Sequence, residues 1–160
     1  MDKGRYKDIL EIIGVFSIVV SLGFVAFEVS QNTAAVRSSV IQSVSDQSIG
    51  AITLVVENAE LRNNIDDAIK GTADEKQLRQ VNAYYAMLLR VQKNRFLQIE
   101  IGAINKSLMI EMSGKATVYD TIAFRNYWEK IKFNQSHDFQ SYMEEQVFSK
   151  KIISLDYTSN

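Results

Sequence analysis

Cysteine and proline are both absent from this 160-residue chain. Without cysteine there is no structural disulfide and no thiolate metal centre, although the absence leaves the compartment open. Without proline no residue has a fixed φ or a missing backbone donor, so nothing obliges a helix to break. A Pro-rich linker or PxxP ligand segment is excluded on the same ground. An excess of one charge is lacking too: 18 Lys and Arg stand against 19 Asp and Glu, for a net charge of −1. No overall basic surplus draws in nucleic acid, and no acidic tail appears. Histidine occurs once, at His137, so a histidine-based metal site is out of reach.

Signatures of catalysis are also missing. No serine lies in a G-x-S-x-G turn, and neither G-x-G-x-x-G nor G-x-x-x-x-G-K-[ST] occurs. Gly114-Lys115 lacks the upstream glycine that a phosphate loop needs. A carboxylate-only metal or catalytic set would have to draw on Asp120, Glu129, Glu144 and Glu145. Adjacent acids on an amphipathic helix read more simply as a solvated face. The expectation is a non-enzymatic chain with no cofactor, and carboxylate-based enzymology is the remotest alternative.

What is present is one long apolar run, from Ile9 to Val29, with no charge between Ile12 and Phe27. As a helix it is about 30 Å long, the thickness of a bilayer's hydrocarbon core. The run is longer than a signal-peptide h-region, and no A-x-A site follows it; Ser21-Leu22-Gly23 is the nearest small-x-small match and lies inside the run. A buried core helix would show a polar face, which is nearly missing over four turns. The reading is a single transmembrane helix in the lipid bilayer. Lys3, Arg5 and Lys7 precede it and only Arg37 follows closely, so the positive-inside rule places the N-terminus in the cytoplasm.

Beyond the span, Val36, Val40, Val44, Ala51 and Val55 recur at helical spacing, predicting an amphipathic helix over Ser30 to Leu61. Gln31, Asn32 and Thr33 mark the candidate membrane–water junction, where Asn and Thr compete with helical backbone bonds and can kink or re-cap the chain. Gly71 suits the end of a short helix, and Thr72 suits the next N-cap, with Glu75 completing a capping box. The helix that follows, with Leu78, Val81, Tyr85, Leu88, Phe96 and Ile99 on one face, is predicted to run to about Asn105. A short helix and loop are expected over 106–118. Further helices are expected around Ile122 to Ile131, and again after Ser136 as N-cap with Asp138 in the first turn. The tail from Lys150 is expected to be less ordered, its Ile152-Ile153-Ser154-Leu155 run able to form a strand or dock. The domain plan is a basic flank at 1–8, a transmembrane helix at 9–29, a helical domain at 30–149 and a tail at 150–160. The fold class is all-α: an N-terminal transmembrane helix followed by an antiparallel helical bundle.

Within the span, Glu11, Gly14, Ile18, Ser21, Val25 and Glu28 follow at 3-4-3-4-3 spacing and share one face. Ser17 and Ser21 add a small-xxx-small pair, which lets helices approach closely in lipid. This face is the candidate helix–helix contact of a homo-oligomer. The alternative is that the two glutamates sit at the headgroup levels and the serines bond their own i−4 carbonyls. An oligomer could also turn the acids into charged rings of a channel or transport accessory, but nothing ionisable occupies the centre of the span.

Arg90, Lys93 and Arg95 lie among Tyr84, Tyr85 and Phe96. Such interleaving can serve nucleic acid; at helical spacing the aromatics read as core and the charges as a wet rim. Lys130, Lys132, Lys150 and Lys151 could touch anionic headgroups. Trp128 reads as a core anchor rather than an interfacial residue.

Two segments together resemble an uncharacterised family of small bacterial single-span membrane proteins. One runs from Ile12-Ile13-Gly14-Val15 to Glu28-Val29-Ser30-Gln31-Asn32-Thr33, with Ala35-Val36-Arg37 after it. The other is the aromatic close, Arg125-Asn126-Tyr127-Trp128 and Asp138-Phe139-Gln140-Ser141-Tyr142-Met143. Ser30 stands where the family often has a basic residue. The resemblance implies a protein of the bacterial inner (cytoplasmic) membrane and brings no activity or catalytic residue with it. The function expected is a membrane-anchored module for self-association or for binding an unidentified protein partner, with no nucleic acid involved.

Overall fold

The computed structural model describes residues 3–105 and 117–148. Every regular element among them is helical, and no strand is formed. The expected short helix over 106–116 and the tail from Lys150 lie outside the described residues.

Helix α1 runs from Lys3 to Glu57. The chain divides into two units, Met1–Ser39 and Val40–Asn160. In the first unit α1 is exposed on every side from Lys7 to Ser39. Its large apolar side chains range from Ile9 at 49% to Phe24 at 71% exposure. Among the described residues this is the one helix long and apolar enough to cross a membrane. The Gln31-Asn32-Thr33 junction does not break it. The Thr33 hydroxyl donates to the Val29 carbonyl at 2.8 Å, so its competing bond is made one turn back and the backbone ladder stays whole.

In the second unit α1 ends at Glu57, short of the expected Leu61. Asn58 leaves helical geometry at φ −107°, ψ 95°, and its side-chain oxygen accepts from the Leu61 N–H at 2.9 Å. One asparagine thus stops α1 and caps α2, Ala59–Lys70. Gly71, at φ 74°, closes α2 in the left-handed region that favours glycine, as expected.

Helix α3 spans Glu75–Glu100, and its cap corrects the sequence expectation. Asp74, not Thr72, is the N-cap: its carboxylate accepts from the Gln77 N–H at 2.8 Å, and Gln77 Oε1 accepts from the Asp74 N–H at 2.8 Å. Thr72 is occupied elsewhere, donating to the Asp67 carbonyl at 3.3 Å as α2 closes. The far end is also earlier than predicted. Gly102 at φ 70° donates to Ile99 O at 2.9 Å, and Ala103 N–H turns back to Gln98 O at 2.9 Å, ending the helix before Asn105.

A 3₁₀ turn at Thr117–Asp120 leads into α4, Ile122–Ile131, capped by Thr121. A second 3₁₀ turn, Lys132–Asn134, precedes α5, His137–Tyr142. Ser136 holds the N-cap position of α5 as expected, but without a side-chain capping bond. A π-helical turn, Met143–Val147, follows.

These elements enclose one main core. Asn64 pairs with Gln80 at 2.5 Å and Asp67 with Gln77 at 2.8 Å, which sets α2 antiparallel to α3. Val44 packs with Ile99 and Ile104, while Arg95 donates to Ser48 at 2.5 Å, so the second-unit part of α1 also runs antiparallel to α3. Phe124, fully buried, sits among Tyr85, Tyr119, Tyr127 and Phe148. Trp128 is buried against Phe139 and Phe148, the core position expected for it.

Candidate functional site

The residues expected to share one helix face all lie on the surface of α1 in the first unit. Glu11, Gly14, Ser17, Ile18, Ser21, Val25 and Glu28 are exposed. A methyl group added at Gly14 would meet nothing within 4 Å. The two serines follow the local alternative: Ser17 donates to Ile13 O and Ser21 to Ser17 O, each at 2.8 Å. Their acceptor lone pairs remain on the helix surface. Part of the candidate contact face and part of the candidate junction meet in one shallow groove, lined by Val25, Glu28, Gln31 and Asn32.

The second unit carries a feature that the sequence reading passed over. Ile49, Ile52 and Val56 are 57%, 62% and 65% exposed on α1. At i, i+3 and i+7 they form an apolar strip. Gly50 beside them is open, with nothing within 4 Å of a Cβ built there. Glycine in mid-helix costs roughly 1 kcal/mol against alanine. The missed signal is that this strip lies beside, and not on, the Val40–Val44–Ala51–Val55 face that turns inward. Nearby, a groove of about 330 Å³ opens between the end of α1, the start of α2 and α3, lined by Leu54, Asn58, Leu61, Ala83, Tyr84 and Met87.

The acidic residues are dispersed. Asp120 pairs with Arg125 at 2.7 Å. Glu129 and Glu144 share Lys132, at 2.8 and 3.6 Å, and the Glu129 bond leads in raising the Lys132 pKa. Glu144 also accepts from the Trp128 indole at 3.2 Å. His137 is exposed, 3.9 Å from Asp138. No three acidic or histidine side chains converge among the described residues.

The basic–aromatic stretch of α3 divides differently from the rim-and-core expectation. Tyr84 and Tyr85 are core, and Arg90 and Lys93 are exposed, but Arg95 is only 8% exposed. Its guanidinium turns inward because Ser48 of α1 accepts from Nη2. Burial raises the pKa of Tyr119 and Tyr142; the positive charge of Arg95 offsets part of this at both, and a Gln92 hydrogen bond does so at Tyr119. Tyr84 is pushed up to about 12, first by burial and then by Tyr119 and Tyr85. Gly114, Lys115, Lys150 and Lys151 lie outside the described residues. Set against known protein families, characterised proteins and solved structures, the chain finds no match.

Proposed function

We propose that this chain is a membrane-anchored helical module that acts by contact, binding either a second copy of itself or a protein partner. The observation that carries the reading is α1 from Ile9 to Val29, apolar around its circumference and exposed throughout. In water that surface has no partner. In a bilayer it is matched to hydrocarbon while its backbone is satisfied internally. The lipid bilayer is the first partner, reached as a single span. The resemblance to small bacterial membrane proteins favours the inner membrane, and Lys3, Arg5 and Lys7 favour a cytoplasmic N-terminus.

Two exposed faces support the contact role. One is the span face at Glu11, Gly14, Ile18, Ser21, Val25 and Glu28; the other is the Ile49–Ile52–Val56 strip. The remainder of the chain then serves as a small antiparallel bundle held at the bilayer. Because the chain has no cysteine, single cysteines introduced along Gly14 to Val25 report self-contact without background. The expected result is disulfide capture that peaks on the Gly14–Ile18–Ser21–Val25 face, together with retention in membranes until detergent is added. Uniform capture around the helix would remove the seam. Recovery of the intact chain as a soluble monomer without detergent or lipid would remove the anchor.

A further inference from the structure

Among the described residues Arg95 is the only buried cation. Arginine keeps its proton in proteins, so burial cannot neutralise it. A buried charge is costly unless paired and fully hydrogen-bonded. The ion pairs of the described residues join Arg79 to Glu75, Arg125 to Asp120, and Lys132 to Glu129 and Glu144. None of them reaches Arg95. Its Nη2 donates to Ser48 Oγ at 2.5 Å, and its Nε–H is buried with no acceptor.

The neighbouring polar groups bond one another or the backbone, Ser48 Oγ donating to the Val44 carbonyl at 2.7 Å. Gln92, one turn earlier on α3, is 2% exposed, and its Oε1 accepts from the Tyr142 hydroxyl at 3.4 Å. Burial raises the pKa of Tyr119 and of Tyr142, and the Arg95 charge offsets part of the rise at both. These tyrosines are neutral at pH 7, so neither supplies the missing negative charge. The cluster draws on α1, α3, the 3₁₀ turn before α4, and α5. Its edge reaches the surface where Asn94 donates to Gln47 at 3.0 Å, one position before Arg95 and Ser48 on their respective helices.

A guanidinium with a buried, unpaired Nε–H and no carboxylate partner, set among polar side chains, is complementary to a planar or tetrahedral oxyanion. We propose that Arg95, with Ser48, Gln92, Tyr119 and Tyr142 around it, forms a binding site for a single oxyanion, a carboxylate or a phosphate group. The anion completes the hydrogen bonding of Arg95 and locks α1 to α3 and α5. The site is independent of the membrane reading.

The test uses the full chain in a non-ionic detergent, titrated with inorganic phosphate, with acetate, and with chloride at matched ionic strength. Thermal unfolding and the ¹⁵N–¹H resonance of Arg95 Nε are followed together. The expected result is a saturable rise in the unfolding midpoint with phosphate or acetate but not chloride, with the Nε resonance moving over the same concentration range. Whichever anion acts identifies the oxyanion class. Tyr142→Phe, which keeps the ring packing, is expected to weaken binding by on the order of tenfold, and Arg95→Met to abolish it. Absence of a saturable shift, an unmoved Nε resonance, unchanged affinity in Tyr142→Phe, or retained binding in a folded Arg95→Met overturns the proposal.

Discussion

Phe124→Ala is the most searching perturbation of the helical domain. Phe124 is 0% exposed. Its ring lies 5.1 Å from Tyr85 and 5.1 Å from Tyr119, the latter at 88°, with Tyr127 at 6.1 Å and Phe148 at 6.2 Å. Removing a buried phenyl group costs about 3–5 kcal/mol, in lost transfer energy and in the cavity left behind. Edge-on ring pairs are worth about 0.5–1.5 kcal/mol each beyond their area. That places this site near the middle of the range, at about 4 kcal/mol. A single domain has only about 5–15 kcal/mol in total. With a urea slope of about 2 kcal/mol per molar, the midpoint falls by about 2 M. The chain carries its own reporter, since Trp128 is the single tryptophan and is 1% exposed. Equilibrium urea unfolding followed by its fluorescence reads the loss directly. Phe124→Leu keeps a folded comparison, with a shift of about 1 M or less. A Phe124→Ala midpoint within about 0.5 M of the parent would refute the placement of this ring at the centre of the core.

Asp74→Ala is expected to destabilise by about 1 kcal/mol, and Thr72→Ala by only a few tenths, because only Asp74 holds a helix-capping pair; thermal midpoints of the two variants check this, and a larger loss at Thr72 would reassign the cap. The buried tyrosines give an alkaline limb. Tyr84 is raised from 10.0 to about 12, and Tyr85, Tyr119 and Tyr142 are raised as well. The folded state therefore keeps protons that the unfolded chain releases. Their stabilisation is whole below about pH 10, where the free phenol still holds its proton, and is lost as pH climbs through 10 toward about 12. Unfolding midpoints measured against pH, beside tyrosinate absorbance, would contradict this if stability stayed flat while the buried phenols ionised at their ordinary pH.

Features that depend on local chemistry were legible in the sequence. Gly71 ends α2 because only a residue without Cβ takes φ 74° cheaply. The Phe124–Trp128–Ile131 stripe and Ser136 mark α4 and the start of α5 because side-chain periodicity and capping act within one turn. Competition between equally good local signals was not legible. Thr72 and Asp74 are both competent caps, and the choice is settled by Asp67, which takes the Thr72 hydroxyl and also accepts from Gln77. Asn58 stops α1 without glycine or proline, through a side-chain bond that asparagine makes equally well elsewhere. The two seam serines satisfy themselves locally, so their surface position is apparent while the choice of neighbour is not a property of one helix. Arg95 was least legible of all. With Arg90 and Lys93 among Tyr84, Tyr85 and Phe96 it reads as one charge of a wet rim, and its burial follows from Ser48, which lies 47 residues away in the chain.

That separation has a consequence for assembly. The bonds from Ser48 to Arg95 and from Gln92 to Tyr142 join positions 47 and 50 residues apart, and Phe148 is needed to close the aromatic ring set. Pairings of this reach form late, after loop closure has been overcome. The apolar stretch of α1 needs only its own neighbours in sequence and is synthesised before the second unit. This helix can therefore form while the globular portion is still incomplete, and a lesion such as Phe124→Ala would leave it intact while the bundle stays unfinished.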